Sequence, residues 1–229
     1  KQLVMKKIIL LTLVSLIFNS CGTLRYSKEK DAKKTNIVSK LDLNNIVEDR
    51  IPVEINPGKF NKDTVIYKMP RVVQGTYSIS NFGRFVKSFK PISYSGKVLD
   101  FSSEDINTWK IFNANNLDKI IYEVEDTFDI ENSEDDIPFS PAGTNIEDDN
   151  FMLNLFAFIG YFESLQNNSY ELIVSSNQDY KKSSALKLVS QESNAKGFID
   201  SKYFANRYFD IADNPMMYGD LDVEAVSYT

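Results

Sequence analysis

The stretch NTWKIFNANNLDKIIYEVED, residues 107–126, decides the fold class of this chain. Its second half alternates apolar and polar residues, so that Ile120, Tyr122 and Val124 share one face of a strand. An Asn-Ala-Asn-Asn turn separates this strand from a preceding one, Asn107 to Phe112. Alternation bounded by turn residues is typical of a half-buried antiparallel sheet.

The same pattern recurs along the chain and predicts a mainly β protein, an antiparallel β-sandwich with one or two short helical turns. The predicted strands are Ile51 to Asn56, Thr64 to Lys68, Ile92 to Phe101 with a turn at Ser95-Gly96, Asn107 to Phe112, Ile120 to Asp126, Tyr170 to Ser175, Ala185 to Ser190, Tyr208 to Ala212 and Leu221 to Tyr228. Aromatic residues three and four apart predict helical turns within Ser80 to Phe89 and Ser201 to Arg207. The apolar segment Phe151 to Phe162 is too short to span a membrane, so we interpret it as a pair of core strands or as a ligand-facing hairpin.

The amino terminus has the composition of an export signal. Lys6 and Lys7 precede an uncharged apolar run of eleven residues, Ile8 to Phe18, whereas a membrane span needs roughly 20. The only cysteine, Cys21, closes this segment, which resembles the bacterial lipobox, and its thiolate is the nucleophile that lipidation requires. The pattern predicts a lipoprotein signal peptide at residues 1–20 and a lipid on Cys21.

These features divide the chain into three parts. The signal peptide is followed by residues 21–46, which are rich in Lys, Ser, Asp and Asn and are predicted to form a flexible tether. Residues 47–229 are predicted to form the β-sandwich domain. Four residues precede the apparent initiator Met5, so residues 1–4 are expected to lie upstream of the true start. A strand-like alternation runs to Thr229, which indicates that the domain is incomplete at its C-terminus.

Charge excludes one class of partner. The whole chain has a formal net charge of -6. The signal peptide contributes three lysines and no acid, so its removal leaves a distinctly acidic protein. Such a surface repels phosphate backbones, so we predict no nucleic acid partner and a membrane attachment that depends on the lipid. Gly22, rather than an Asp, follows the lipid site, which favours the outer membrane of the cell envelope over the inner one.

The chain has no histidine, which rules out an H-E-x-x-H zinc site or a histidine-based triad within it. Acidic residues cluster after Glu123, and a calcium interpretation would use Asp129, Glu131, Ser133 and Asp135. The glycine that an EF-hand loop needs is replaced by Glu134, so a solvated acidic loop is the preferred interpretation. We predict no catalytic residue, no metal site and no cofactor in this chain.

One segment carries more specific information. Residues 67–86 read YKMPRVVQGTYSISNFGRFV, and this pattern resembles the amino-terminal domain of the glycyl aminopeptidase-like zinc metallopeptidases, which often contain a PDZ domain. The family's order is a proline, then Pro-Gly-(Ser/Thr)-Tyr, an Ile and Phe-(Ala/Gly)-Arg, and Gln74 replaces its second proline here. Two later segments, Asn107 to Ile111 and Asp213 to Tyr218, are similar to the family's Thr-Trp strand and its Asp-Asn-Pro-(Ile/Leu)-Met-Tyr.

The resemblance implies a function without catalysis in this chain. In that family a separate domain downstream carries the zinc-binding histidines, so zinc is expected in a catalytic domain that is missing here. This chain would then pack on the catalytic domain of the same polypeptide and form one wall of the cleft for a peptide substrate. Tyr77 and Arg84 are the candidate residues for that cleft or domain interface.

A second hypothesis belongs to a different class. It holds that the chain is a stand-alone envelope lipoprotein that binds a protein or a glycan through an aromatic-rich β surface. An H-E-x-x-H motif in the downstream sequence would discriminate between the two hypotheses.

Overall fold

A computed structural model describes residues 36–76, 78–128 and 143–222. Within these ranges the chain forms strands, two short α-helices and two 3₁₀ turns. The strands are β1 (Ile37–Asp42), β2 (Arg50–Asn56), β3 (Thr64–Lys68), β4 (Val86–Ser93), β5 (Phe101–Asp105), β6 (Thr108–Phe112), β7 (Leu117–Glu125), β8 (Asn145–Ile146), β9 (Asn150–Leu153), β10 (Tyr161–Phe162), β11 (Tyr170–Ser176), β12 (Lys181–Ser184), β13 (Lys187–Ser193), β14 (Ile199–Ala205) and β15 (Met216–Gly219). The helices are α1 (Leu155–Phe158) and α2 (Tyr208–Ala212), and the 3₁₀ turns are Phe82–Phe85 and Ala114–Asn116.

A seven-stranded sheet, in the order β13-β14-β11-β1-β2-β7-β4, forms one layer. Its strands alternate buried and partly exposed residues, as in β2, where Ile51, Val53 and Ile55 are buried. The pairing of β1 with β11 is parallel and all other pairings in this sheet are antiparallel, so the sheet is mixed. The mainly β fold class predicted from the sequence is confirmed.

Two four-stranded sheets cover the inner face of the large one, in the orders β10-β3-β6-β5 and β12-β15-β9-β8. Buried tyrosines join the layers. The hydroxyl of Tyr122 in β7 lies 2.8 Å from that of Tyr67 in β3, and the hydroxyl of Tyr203 in β14 lies 2.7 Å from that of Tyr218 in β15. Burial of the phenol ring raises the pKa of both Tyr67 and Tyr218, so these hydroxyls stay protonated, and one hydroxyl of each pair donates to the other.

Many aromatic side chains lie in this core rather than on the outer faces of the sheets. Trp109 stacks on Phe89 with ring centroids 4.8 Å apart, and Tyr67 contacts Phe162 at 5.0 Å. Such pairs contribute packing energy beyond their buried area. The segment Phe151 to Phe162 belongs to this core, as expected, but it contains helix α1 between β9 and β10 rather than two strands alone.

Most predicted strands are present with small shifts of their bounds, including Thr64–Lys68 and Tyr170–Ser176. Gly96 has φ +77° and its N–H donates to the carbonyl of Ser93 at 2.8 Å, which confirms the turn predicted there. After that turn Val98 forms an antiparallel bridge with Ile92 of β4, and the chain then continues into β5, which pairs with β6 of a small sheet. The predicted helical turn within Ser80 to Phe89 is a single 3₁₀ turn followed by a strand.

Two neighbouring predictions are wrong in opposite senses. The helical turn predicted within Ser201 to Arg207 lies largely in strand β14, and the strand predicted at Tyr208 to Ala212 is helix α2. β14 pairs along its length with both β11 and β13, which overrides the local aromatic spacing. The side chain of Arg207 pairs with Asp210 at 2.8 Å across one turn of α2, an interaction that a helix provides and a strand does not.

The amino-terminal bound of ordered structure is earlier than the sequence indicated. Residues 37–42 lie within the predicted tether but form β1 in the large sheet. Its inward residues Ile37, Ser39 and Leu41 are buried, a period-two pattern hidden among Lys, Asn and Asp. Cys21 and the signal peptide lie outside the described residues, as do the candidate calcium ligands Asp129, Glu131, Ser133 and Asp135.

Two features are absent from the described residues. No helix in these ranges is long and apolar enough to cross a membrane. Likewise, the described part of the chain holds no group of three or more His, Cys, Asp or Glu side chains placed to bind a metal ion.

Candidate functional site

The first family-like segment forms a loop that runs from the end of β3 into the 3₁₀ turn Phe82–Phe85. We call residues 70–82 the signature loop. Tyr77 lies outside the described residues. Backbone hydrogen bonds close the base of the loop: the carbonyl of Arg71 accepts from the N–H groups of Ser80 and Asn81, both at 2.9 Å, and the carbonyl of Pro70 accepts from Phe82 at 3.1 Å. The loop is therefore held at its base like a hairpin, while residues at its tip are exposed.

A tight turn shapes the tip. The carbonyl of Val73 accepts from the N–H of Thr76 at 3.2 Å and from its hydroxyl at 2.8 Å. Gly75 has φ +92°, a backbone conformation that residues with a Cβ rarely adopt. A glycine therefore suits this position of the turn.

Asn107, from the second family-like segment, clamps the base of the signature loop. Its side-chain oxygen accepts from the N–H of Gly83 at 3.0 Å, and its amide donates to the side chain of Asn81 at 3.0 Å. Its own carbonyl accepts from the N–H of Met69 at 2.8 Å. Asn107 is buried and so is its bond from Gly83, where losing a partner is costly.

Gly83 allows the 3₁₀ turn Phe82–Phe85 to pack closely against the backbone before Asn107. A Cβ at this position would lie 2.0 Å from the carbonyl oxygen of Ile106 and 2.7 Å from the Cα of Asn107. Both obstructing atoms belong to the backbone and cannot rotate away. The turn before Asn107 and the 3₁₀ turn can pack in this way only around a glycine.

Arg84 follows directly and lies at the base of the signature loop. It is half-buried, and its guanidinium lies 4.7 Å from the ring centroid of the buried Phe85, a cation–π geometry. The carbonyl of Arg84 accepts from the ammonium of Lys87 at 3.3 Å. A role for Arg84 at a cleft or domain interface stays a prediction, and so does one for Tyr77.

The third family-like segment meets the tip of the signature loop at an open cleft of about 630 Å³. Its lining residues are Gln74, Phe156, Arg207, Phe209, Asp210, Asp213 and Asn214. The amide of Asn214 donates to the carbonyl of Asp210 at 2.7 Å, which ties the turn after α2 to that helix. The structure therefore brings Gln74 together with Asp213 and Asn214, residues about 140 positions apart in the sequence.

Exposed apolar side chains accompany the loop and the cleft. In the signature loop Val72 is 44% and Ile79 is 56% exposed, and Phe209 in the cleft is 44% exposed. Single exposed apolar residues are common on protein surfaces. Val72 and Ile79 belong to the first family-like segment, and Phe209 lies just before the third.

The chemistry available in the cleft is that of binding. Its ionisable lining groups are one guanidinium and two carboxylates, and the guanidinium of Arg207 is already paired with Asp210. Amide groups of Gln74 and Asn214 add donors and acceptors. This set can hold a polar chain or a domain surface by hydrogen bonds and ion pairs.

Sequence reasoning missed four residues of the cleft: Phe156, Arg207, Phe209 and Asp210. The one signal that could have found some of them is the position of Arg207, Phe209 and Asp210 just before the third segment. Phe156 has no such signal, because it comes from helix α1 and reaches the cleft only through the tertiary packing.

The family of the chain follows from its sequence match. The family model of the Peptidase M61 N-terminal domain matches residues 39–220. The chain belongs to this family. The match begins inside β1 and ends just after β15, so it includes both the signature loop and the cleft of this M61 N-terminal domain.

The chain is similar to several solved structures, and the first of them shows the same fold. An aminopeptidase N family protein from Idiomarina loihiensis is similar with a TM-score of 0.67 and 16% identity, over 82% of this chain and 30% of that protein. Two structures of an M1 zinc metallopeptidase from Deinococcus radiodurans have TM-scores of 0.47 and 0.49, with 6% and 8% identity over 81% of this chain and 41% of theirs. The M61 N-terminal domain thus spans less than half of each of these proteins. No curated protein matches the chain.

Proposed function

We propose that this M61 N-terminal domain is the non-catalytic amino-terminal part of a lipid-anchored zinc aminopeptidase, where it packs on a catalytic domain and shapes the cleft for a peptide substrate. One observation carries this proposal. The three family-like segments, which are far apart in the sequence, converge on the signature loop, its clamp Asn107 and the adjoining cleft. The remaining length of the similar proteins supports a further domain.

The proposed contact has two components. Val72, Ile79 and Phe209 would lose water on docking. Because each is already about half buried, docking would contribute about half of the 1.5–3 kcal/mol expected for a fully exposed side chain. Gln74 and Asp213 would supply the polar contacts at the cleft. The clamp at Asn107 matters because a loop held rigidly at its base loses little conformational entropy on docking.

Zinc belongs to the other domain in this proposal. The chain contains no histidine, and the described residues offer no metal-binding cluster, so these residues do not fit a zinc site. The residues of this chain would position the partner domain and the substrate. Tyr77 and Arg84 are the first residues whose substitution we would test for an effect on the Michaelis constant.

The lipid on Cys21 would place the enzyme at the cell envelope, with the outer membrane favoured over the inner one. Metabolic labelling with an alkyne fatty acid tests this directly. Incorporation is expected in the wild-type chain and should disappear in Cys21→Ser. Equal labelling of both chains would contradict the anchor.

The domain contact is tested in the full-length protein. Ile79→Asp is expected to weaken the association of the two domains, because it places a charge in the proposed interface, and to raise the Michaelis constant for a peptide substrate. Val98→Asp is the matched control, since Val98 is similarly exposed, at 54% against 56%, but lies in the turn after β4. An equal effect of both variants, or a reading frame without a downstream H-E-x-x-H domain, would refute the proposal.

A further inference from the structure

A groove of about 590 Å³ crosses the outer face of the seven-stranded sheet, on the side away from the core. It is lined by residues of β4, β7, β2, β1, β11 and β14 and by the turn between β13 and β14. These six strands are consecutive neighbours in the sheet, and five strand spacings of about 4.8 Å give a length of about 24 Å. The groove is therefore long and runs across the strands rather than along an edge.

The floor of the groove carries apolar residues at separate positions, with the ion pair of Lys40 and Glu54 between Ile173 and Ile121. Ile173 lies opposite Lys40 in the register of β11 and β1, and Ile121 lies opposite Glu54 in the register of β7 and β2. Pro52 and Phe198 also line the groove. Each of these four apolar residues is partly exposed, so each can still lose water against a ligand.

A fixed row of polar side chains accompanies these apolar residues. The amide of Asn194 donates to the hydroxyl of Ser175 at 3.1 Å and to Asp200 at 2.9 Å. On the other side of Ser175, the amide of Asn44 donates to Asp42 at 3.1 Å. These contacts hold two carboxylates in place on either side of a serine, and each carboxylate has a second oxygen with capacity to accept further hydrogen bonds.

The charges of the groove nearly balance. Its lining has three cations, Lys40, Lys90 and Lys196, and four anions, Asp42, Glu54, Glu123 and Asp200. Lys40 lies 3.2 Å from Glu54, which is also paired with Lys119 at 2.7 Å. Because its positive and negative charges nearly cancel, the groove does not attract a strongly charged ligand and complements a neutral one.

We propose that this groove binds a neutral oligosaccharide. Carboxylate and amide side chains hydrogen-bond sugar hydroxyls, and the separate apolar side chains each pack against the C–H face of a sugar ring. Carboxylates are acceptors only, and a sugar chain presents many hydroxyl donors along its length. This site lies on a different surface from the signature loop and is independent of the proposed peptidase function.

A peptide fits the groove less well. The strands that form its floor already pair on both sides within the sheet, except at the β4 edge, so their backbone groups cannot form a β-ladder with a bound peptide. Recognition must come from side chains. A peptide backbone offers one N–H donor per residue, fewer than a sugar unit offers as hydroxyls.

Isothermal titration calorimetry on the mature chain tests the proposal. The probes are neutral hexasaccharides of glucose with α-1,4 and β-1,4 linkages, and of N-acetylglucosamine, xylose and mannose, each at about 5 mM. At least one is expected to bind with 1:1 stoichiometry, and its affinity should change less than about twofold between low and high salt because no net charge is neutralised. Asp200→Asn should weaken that binding about tenfold, since charged acceptors form the stronger hydrogen bonds.

The variants separate a binding role from a structural one. Asp200→Asn keeps an oxygen that accepts from Asn194, so the fold should be unchanged by circular dichroism. Asp179→Asn, an exposed acid outside the groove, is the matched control and should leave the affinity unchanged. The proposal is overturned if none of the five probes binds, if Asp200→Asn binds as tightly as the wild type, or if a charged peptide binds the groove with strong salt dependence.

Discussion

Replacing Gly83 by alanine is the sharpest test of how the signature loop is built. The new Cβ would lie 2.0 Å from the carbonyl oxygen of Ile106 and 2.7 Å from the Cα of Asn107. Because these are backbone atoms, relief requires that the 3₁₀ turn move away from the turn between β5 and β6. That movement would also stretch the bond from the Gly83 N–H to the Asn107 side chain, now 3.0 Å.

The size of the effect follows from these contacts. Overpacking a buried site costs typically 1–3 kcal/mol, and an obstruction made of backbone should lie at the upper end, about 3 kcal/mol. For a domain of this size each kcal/mol lowers Tm by about 2–4 °C. We therefore expect Tm to fall by about 6–12 °C in Gly83→Ala.

Gly96→Ala is the matched control. Gly96 has φ +77°, and a Cβ added to it would meet no atom within 4 Å, so its replacement adds backbone strain of about 1 kcal/mol without a steric clash. Urea denaturation followed by circular dichroism measures both variants. Amide hydrogen exchange adds a local readout, because the N–H groups of Ser80 and Asn81 are bonded to Arg71 and should exchange faster in Gly83→Ala.

One result would refute this reasoning. If Gly83→Ala is destabilised no more than Gly96→Ala, and the amides at the base of the signature loop keep their protection, the close approach at Gly83 does not hold the loop in place.

Three further predictions concern the clamp, the core and a surface ion-pair network. Asn107→Ala should destabilise the domain by about 2 kcal/mol, since it leaves the buried N–H of Gly83 without its acceptor; thermal denaturation measures this. Tyr122→Phe should also cost about 2 kcal/mol in urea denaturation, because the carbonyl of Phe158 loses a buried donor at 2.6 Å. Glu54→Gln should cost about 0.5–1 kcal/mol at neutral pH, and the difference from wild type should vanish in acid.

The sign of the pH dependence follows from the environment of Glu54. Burial alone would raise the pKa of this carboxyl, but hydrogen bonds and charges from Lys119 and Lys40 outweigh it, so the net shift is downward from 4.5. A carboxyl with a lowered pKa contributes stability that is full above pH 4.5 and is lost as the pH falls through its pKa in the folded state. A difference between Glu54→Gln and wild type that grows toward acid would contradict this.

The variants Asn107→Ala and Tyr122→Phe each have a matched control. Asn115→Ala removes an exposed asparagine and should leave Tm unchanged, in contrast to Asn107→Ala. Tyr94→Phe removes the hydroxyl of a side chain that is half exposed and should be neutral, in contrast to Tyr122→Phe. Equal losses within either pair would show that the buried hydrogen bonds are not the cause.

The strands with strict alternation could be predicted because their pattern is local. Ile120, Tyr122 and Val124 face one way in any strand, and the structure buries all three. The segment around Tyr203 and Tyr208 could not be resolved in this way, because its aromatic spacing suits both a strand and a helix. Pairing with β11 and β13 decided where the strand ends and helix α2 begins.

The candidate site could likewise be predicted only in part from the sequence. The motif around Gly75, the segment at Asn107 and the turn at Asp213 could each be picked out from the sequence, and so could the family to which they belong. Their meeting could not, because contacts between residues so distant in the chain depend on the order of strands in the sheets. The cleft residue Phe156 illustrates this, since nothing in its local sequence distinguishes it from a core phenylalanine.

By itself the sequence determined the mainly β class, the turn at Gly96 and the absence of any histidine-based chemistry, because these depend on residue type and on neighbours along the chain. Only the tertiary structure decided that β1 joins the large sheet in parallel with β11, that Asn107 clamps the signature loop, and that Gln74 and Asp213 line the same cleft. These arrangements depend on closing long stretches of chain around a common core. The spacing of residues along the chain does not indicate which strands pair in the folded protein.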